Sequence, residues 1–177
     1  MKQTVLASLR FLVLAIVVFG GLYTLVITGV GQTFFSEKAD GSLIVQEGKV
    51  VGSKLIGQDM QAADYFQGRP TEVSNLAVFS AEQASLVAKR KETLLTENPT
   101  QTEVPLDLVT ASASGVDPDI SLAAAEFQVA RIANQRNLSE EAINAIIKAQ
   151  TQRDFLSNRA YVNVLALNLA LDKLSQE

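Results

Sequence analysis

From Phe11 to Gly31 the chain reads FLVLAIVVFGGLYTLVITGVG, without a charged residue. About 20 apolar residues rising roughly 1.5 Å each cross a hydrocarbon core of roughly 30 Å, so the pattern predicts a transmembrane helix over 11–31. A cleavable secretory signal competes with that reading, because Lys2 and Arg10 form a basic start and Gly29-Val30-Gly31 is a small-x-small site. The apolar run exceeds the roughly 7–15 residues of a signal core, which favours retention of the helix. Gly20, Thr24 and Thr28 recur at steps of four, with Gly21 beside the first. They form either a face that lets another helix approach closely or the Gly and Thr content common to membrane helices.

Beyond residue 32 the pattern becomes that of a soluble domain with one hydrophobic core. Ser42–Gln46 and Lys49–Val51 flank Glu47-Gly48, and their β-branched content around a glycine predicts a hairpin, continued by Lys54–Ile56 before Gly57. Ser80 with Gln83 writes a capping box, and Ala84, Val87, Ala88, Leu94 and Leu95 follow at helical spacing to about Thr96. Asn98-Pro99 ends that helix, and residues 100–105 are polar enough for an exposed loop. LDLVTASASGVDPD reads as a strand or turn leading into a tight loop. Helices are expected to dominate thereafter. Ser121 caps one carrying Ala124, Phe127, Ala130 and Ile132, and Ser139 caps another with Glu140 and Glu141 in its first turn. Leu138 and Ile143 have the spacing of a hydrophobic staple across that second start. The final run YVNVLALNLALDKL alternates like a strand at Leu165, Leu167, Leu169 and Leu171, but its Leu and Ala content, with Asn163 as a cap, selects a helix. The expectation is an α+β chain: a single N-terminal transmembrane helix, then one compact mixed domain with an N-terminal β-hairpin and a mostly helical C-terminal half.

Charge orients this arrangement. Lys2, Arg10 and the α-amino group precede the span, whereas its far flank has Lys38 and then Lys49. The positive-inside bias makes residues 1–10 a cytoplasmic tail and 32–177 an extracytoplasmic domain. The span holds no charge, so it suits an anchor or a packing partner better than an ion pathway. With no Cys and no His, the chain has no thiol nucleophile, no disulfide, no Ser-His-Asp triad and no His-ligated metal. A formal charge of -4 gives no basic footprint, so nucleic acid is not an expected partner.

Candidate chemistry is sparse. Asp117-Pro118-Asp119 is the one close carboxylate doublet on an expected loop. Two carboxylates without a third ligand make an incomplete metal site, and the doublet suits a turn leading into a helix. Lys89-Arg90-Lys91 could form an anion patch, but consecutive helical residues point in different directions. Gly68-Arg69-Pro70 after Tyr65-Phe66 places an arginine in a fixed turn, equally suited to a partner carboxylate or an internal ion pair. No glycine-rich phosphate loop is present, since Gly115 stands alone and Gly29-x-Gly31 lies in the apolar segment.

Five stretches in order resemble the C subunit of the Kdp-type potassium-transporting ATPase of bacteria. They are Gly52-Ser53-x-Leu55-Ile56-Gly57-Gln58, Tyr65-Phe66-x-Gly68-Arg69-Pro70, Val104-Pro105-x-Asp107-Leu108-Val109-Thr110-Ala111-Ser112, Asp117-Pro118-x-Ile120-Ser121, and the run from Val162 to Asp172. Two departures stand out: residues 71–77 lack the family's glycines, and Asp119 stands where the family tends to have His. The resemblance implies a non-catalytic accessory subunit in the bacterial inner membrane, with no cofactor of its own. Its partners would be the bilayer, a channel-like potassium-binding A subunit and a P-type ATPase B subunit, which handle potassium and ATP. The family is associated with stabilising the assembly and, as a catalytic chaperone, with raising the ATPase subunit's affinity for ATP. Carried onto this sequence, the motif and interface candidates are Gly20, Gly21, Thr24, Thr28, Tyr65, Phe66, Gly68, Arg69, Pro70, Asp107, Thr110, Ser112, Asp117, Pro118, Ser121, Asn163 and Asn168. The competing hypothesis is an anchored or secreted periplasmic metal-dependent phosphatase using Asp117 and Asp119.

Overall fold

The structure, a computed structural model, describes residues 1–60, 62–73 and 75–175. The chain divides into two compact units, Met1–Val50 and Val51–Glu177.

The first unit is dominated by one apolar rod running from Lys2 to Phe34, long and apolar enough to cross a membrane and with no buried residue. It contains α1 (Lys2–Ala15), a π-helical stretch over Ile16–Tyr23, and α2 (Thr24–Phe34). The wider winding, which pairs residues five apart, falls on Gly20-Gly21, and the Thr24 hydroxyl follows it by donating to the Phe19 carbonyl at 3.2 Å. A one-turn helix α3 (Ser36–Ala39) comes next. A two-stranded ribbon, β1 (Leu43–Gln46) with β2 (Lys49–Ser53), leads into the second unit. Glu47 and Gly48 have φ of 50° and 76°, the left-handed pair that a two-residue hairpin turn demands. The predicted extension of this ribbon through Lys54–Ile56 does not form. The Ser53 hydroxyl accepts from the Leu55 N–H at 3.2 Å and turns the chain back, leaving a single bridge between Ser53 and Ile56.

The second unit packs helices on a three-stranded antiparallel sheet. Helix α4 (Ala81–Glu97) starts where expected, with Ser80 accepting from Gln83 N, and it ends at Asn98. Residues 106–119, expected as a strand or turn leading into a tight loop, instead open with a helical turn, α5 (Leu106–Val109), after Pro105 at φ -55°. Proline's restricted φ suits a helix start, and Leu108 and Val109 then point into the core. The sheet has the order β3-β5-β4, formed by β3 (Asp119–Ser121), β4 (Gln152–Arg153) and β5 (Ala160–Asn163). Asp119, Ile120 and Ser121 face Asn163, Val162 and Tyr161. The C-terminal run divides at the expected cap: α9 (Val164–Leu174) begins after Asn163, which accepts from Ala166 N, while Tyr161–Asn163, ahead of the cap, is strand.

The helix expected after Ser121 is broken. Ser121 caps α6 (Leu122–Phe127), and α7 (Val129–Arg136) follows after Gln128. The buried Gln128 amide donates to the Ala124 carbonyl at 3.1 Å, while its own N–H turns to Ala125. A side chain inserted into the main-chain ladder is a recognised cause of such a kink. Asn137 closes α7 at φ 54°, and α8 (Glu140–Gln150) begins at Ser139, with Ile143 fully buried and Leu138 packed against the same core. Phe66, Ile120, Ala124, Ile132, Ile143, Val162, Leu167 and Leu171 form the centre of that core, each at most 2% exposed.

Candidate functional site

Three of the sequence motifs meet at one guanidinium. Arg69 Nη1 lies 3.0 Å from Asp117 Oδ2. Nε and Nη2 donate to the Thr110 carbonyl at 3.3 and 3.2 Å, and Nη2 also to the Ala111 carbonyl at 3.2 Å. Of the two roles open to Arg69, the internal ion pair is the one formed. Asp117 uses its other oxygen to accept from Asp119 N at 3.1 Å. Asp107 accepts from the Ser121 N–H and hydroxyl at 2.7 and 3.2 Å, tying the start of α5 to the end of β3. Asn163 donates to the Lys54 carbonyl at 3.0 Å and to Asp119 at 3.1 Å, and Val164 N donates to the Pro118 carbonyl at 3.0 Å. Ser112 accepts from Gly115 N at 3.0 Å, in a turn where Gly115 has φ +70°. Gly57 leaves no room for a side chain, since a Cβ there would lie 2.5 Å from the Asp117 carbonyl.

The chain on either side of Phe66 forms neither helix nor strand, yet its main chain is satisfied. Asn168, 2% exposed on α9, accepts from Phe66 N at 2.8 Å and donates to Phe66 O at 3.0 Å. Gln128 repeats the pattern one residue on, accepting from Gln67 N at 2.8 Å and donating to Gln67 O at 3.0 Å. Each side-chain amide supplies the donor and acceptor pair that a neighbouring strand would supply. Arg131 donates to the Ala63 and Tyr65 carbonyls, and Arg136 to Asp64 O at 2.8 Å. Arg136 also pairs with Asp172 at 3.0 Å and stacks over the Tyr65 ring, 4.4 Å from its centre. A hydrogen bond to the Asp172 carboxylate, aided by burial, pushes the Tyr65 hydroxyl above its ordinary pKa.

A polar cleft of about 500 Å³ opens beside this hub, lined by Arg69, Asp107, Asp117, Asp119, Ser121, Asp154, Ser157, Arg159 and Tyr161. Burial, with the charge of Asp117 adding to it, raises the Asp119 pKa against the opposing Asn163 hydrogen bond. Arg69 also lines a groove of about 310 Å³ with Gly68, Pro70, Lys89 and Arg90. Lys91 lies elsewhere, beside Ala88 and Leu95, so the basic triplet divides as its helical spacing requires. Arg90 is engaged with the Val109 carbonyl and Glu72. Among the described residues no group of three or more Asp or Glu is placed to hold a metal. Asp117, the nucleophile or ligand of the phosphatase reading, has both oxygens engaged within the domain.

The other expected site residues divide by burial. Phe66 and Asn168 are interior, and Asn163 and Ser112 are nearly so. Gly20, Gly21, Thr24 and Thr28 lie on the apolar rod, where a Cβ at Gly21 would meet nothing within 4 Å and one at Gly20 only Ile16 at 3.9 Å. Gln128, Arg131 and Arg136 were not singled out from sequence. The available signal was a polar Gln and Arg at core-facing steps between Ala124 and Ile132.

A family model described as K+-transporting ATPase, c chain, matches residues 5–173. The chain is 43% identical over 193 aligned positions to the potassium-transporting ATPase KdpC subunit of Herminiimonas arsenicoxydans, covering 98% of this chain and 99% of that protein. It is 40% identical over 190 positions to the protein of that name from Mycobacterium tuberculosis strain H37Rv, covering 98% and 100%. It is 43% identical over 183 positions to the one from Serratia proteamaculans, covering 94% and 96%.

Proposed function

This chain belongs to the C-chain family of K+-transporting ATPases, and we propose that it is the accessory subunit of a high-affinity ATP-driven potassium uptake complex in the bacterial inner membrane. The observation that carries the reading is the match to C subunits over residues 5–173, in a chain whose N-terminal helix is long and apolar enough to cross a membrane and has no buried residue. In this reading residues 11–31 cross the bilayer, residues 1–10 stay in the cytoplasm, and residues 32–177 form the outer domain that docks on the channel-like subunit. The motif residues serve to hold that domain in shape: Arg69, Asp107, Asp117, Asn163 and Asn168 spend their polar atoms on neighbouring main chain and side chains. A rigid outer domain bound to the channel-like subunit would raise the ATP affinity of the P-type subunit through the partners, without touching nucleotide, because a coupling free energy needs two linked sites rather than one shared contact.

A mild-detergent pull-down of the tagged full chain from native membranes under potassium starvation tests this. Co-purification of a P-type ATPase and a channel-like subunit, with potassium-stimulated ATP hydrolysis, is the expected result. Recovery of the intact chain alone in high yield would overturn it. The phosphatase reading predicts metal-dependent turnover by the isolated chain that Asp117→Asn abolishes. With Asp117 bound to Arg69 and to Asp119 N, that reading is the less favoured one.

A further inference from the structure

The loop joining β4 to β5 presents two large apolar side chains to solvent, Phe155 at 96% exposure and Leu156 at 90%. The loop is held in one shape from within. One oxygen of Asp154 accepts from Leu156 N at 3.0 Å, from Ser157 N at 2.6 Å and from the Ser157 hydroxyl at 2.8 Å. Asp154 N donates to the Arg159 carbonyl and Asn158 N to the Asp154 carbonyl, at 3.0 and 2.9 Å. Asn158 takes the left-handed φ of 54° that closes the turn. The Ser157 N–H, followed by the Ser157 hydroxyl, holds the Asp154 carboxyl below its ordinary pKa, so the organising group stays ionised. Arg153 and Arg159 flank the tip, both exposed.

Exposed apolar residues scattered singly are ordinary; two neighbours fixed at the tip of an ordered hairpin are not. Because the loop is already ordered, little conformational entropy remains to be lost when it is covered. We infer that Phe155 and Leu156 are a docking anchor that inserts into an apolar pocket, rimmed by carboxylates, on another subunit of the same complex. This rests on the subunit reading above. The flanking arginines supply the charge complementarity for such a rim, and an aromatic residue bordered by Arg is the composition found at interface centres. A lipid surface is the less suited occupant. It is fluid and gains nothing from a fixed geometry. The chain already has a helix long enough to anchor it.

The test places photoreactive benzoylphenylalanine at position 155 of the full chain in native membranes, followed by irradiation and mass spectrometry. A covalent adduct with a partner subunit is the expected result. An assembled complex with no protein adduct, or adducts with lipid alone, would overturn the anchor while leaving the subunit reading intact. Recovery of the chain without partners would overturn both. In parallel, the paired Phe155→Ser and Leu156→Ser variant, which removes no internal packing, should lower retention of the partners at least roughly tenfold, as loss of interface hot spots does. Unchanged retention of partners by this variant would sink the proposal independently of the cross-linking.

Discussion

Asp119 carries its charge among groups that oppose it: half-buried, beside Asp117, with the Asn163 amide as its main compensation. Its pKa is raised on folding, so the folded chain holds the proton more tightly than the unfolded one. Stability therefore falls as pH rises from the ordinary carboxylate range through the raised folded value. Asp119→Asn keeps an oxygen to accept from Asn163 and removes the charge. Thermal melts should show this variant more stable than the wild type at pH 7, with the difference vanishing near pH 3. Arg69 behaves oppositely, because Thr110, Ala111 and Asp117 all depend on it. Arg69→Met should destabilise the domain by about 2–3 kcal/mol in denaturant titrations, as expected for stranding partly buried acceptors. Arg69→Lys should recover little, since an ammonium cannot reproduce the planar fork. At this scale the helix caps at Ser80, Ser121, Ser139 and Asn163 were legible in the sequence, because a cap is decided within four residues. Gln128 and Arg131 were not, because the main chain they satisfy lies more than 60 residues away.

Elements divided along the same line. Helices α4 and α8 are long enough for periodicity to register, and their predicted starts stand. Strands of two to four residues, such as β3, β4 and β5, are too short to show alternation and form only because they pair with one another. That is why the strand at Tyr161–Asn163, just ahead of the Asn163 cap, is not visible in the sequence pattern. The irregular piece from Ala63 to Gln67 behaves as a strand whose neighbours are side chains. Asn168→Leu would leave both polar groups of Phe66 buried and unpaired, and should destabilise the domain by about 2–4 kcal/mol. Hydrogen exchange should then speed up at Phe66 and Gln67 before it does in β5. On the apolar rod, the Cβ that Gly20→Leu adds would meet only Ile16 among the described residues, at 3.9 Å. If that face packs on a partner helix, the variant should reduce recovery of the detergent-solubilised complex without changing the helical content of the chain.

Over the whole molecule, hydrophobic patterning distinguished the apolar rod from the folded domain, and the five ordered motifs located the family. Their meeting at Arg69 was not visible, because order along a chain does not fix which loops converge. The proposed orientation has a direct measurement, since the chain has no native cysteine. In intact cells an impermeant maleimide should label Glu92→Cys, exposed on α4, whereas Gln3→Cys should react only after permeabilisation; the reverse pattern would invert the topology. The stapling of residues 63–67 also bears on the order of events in synthesis. The groups that satisfy this segment lie 61 to 102 positions downstream, the last being Asn168. Because contacts so distant in sequence form late, the centre of the domain cannot close until the ribosome has passed Asn168. In the proposed orientation, a nascent polypeptide that stays open until then would suit threading through a narrow secretion channel, since the side chain that completes the fold arrives 102 positions after the main chain it satisfies.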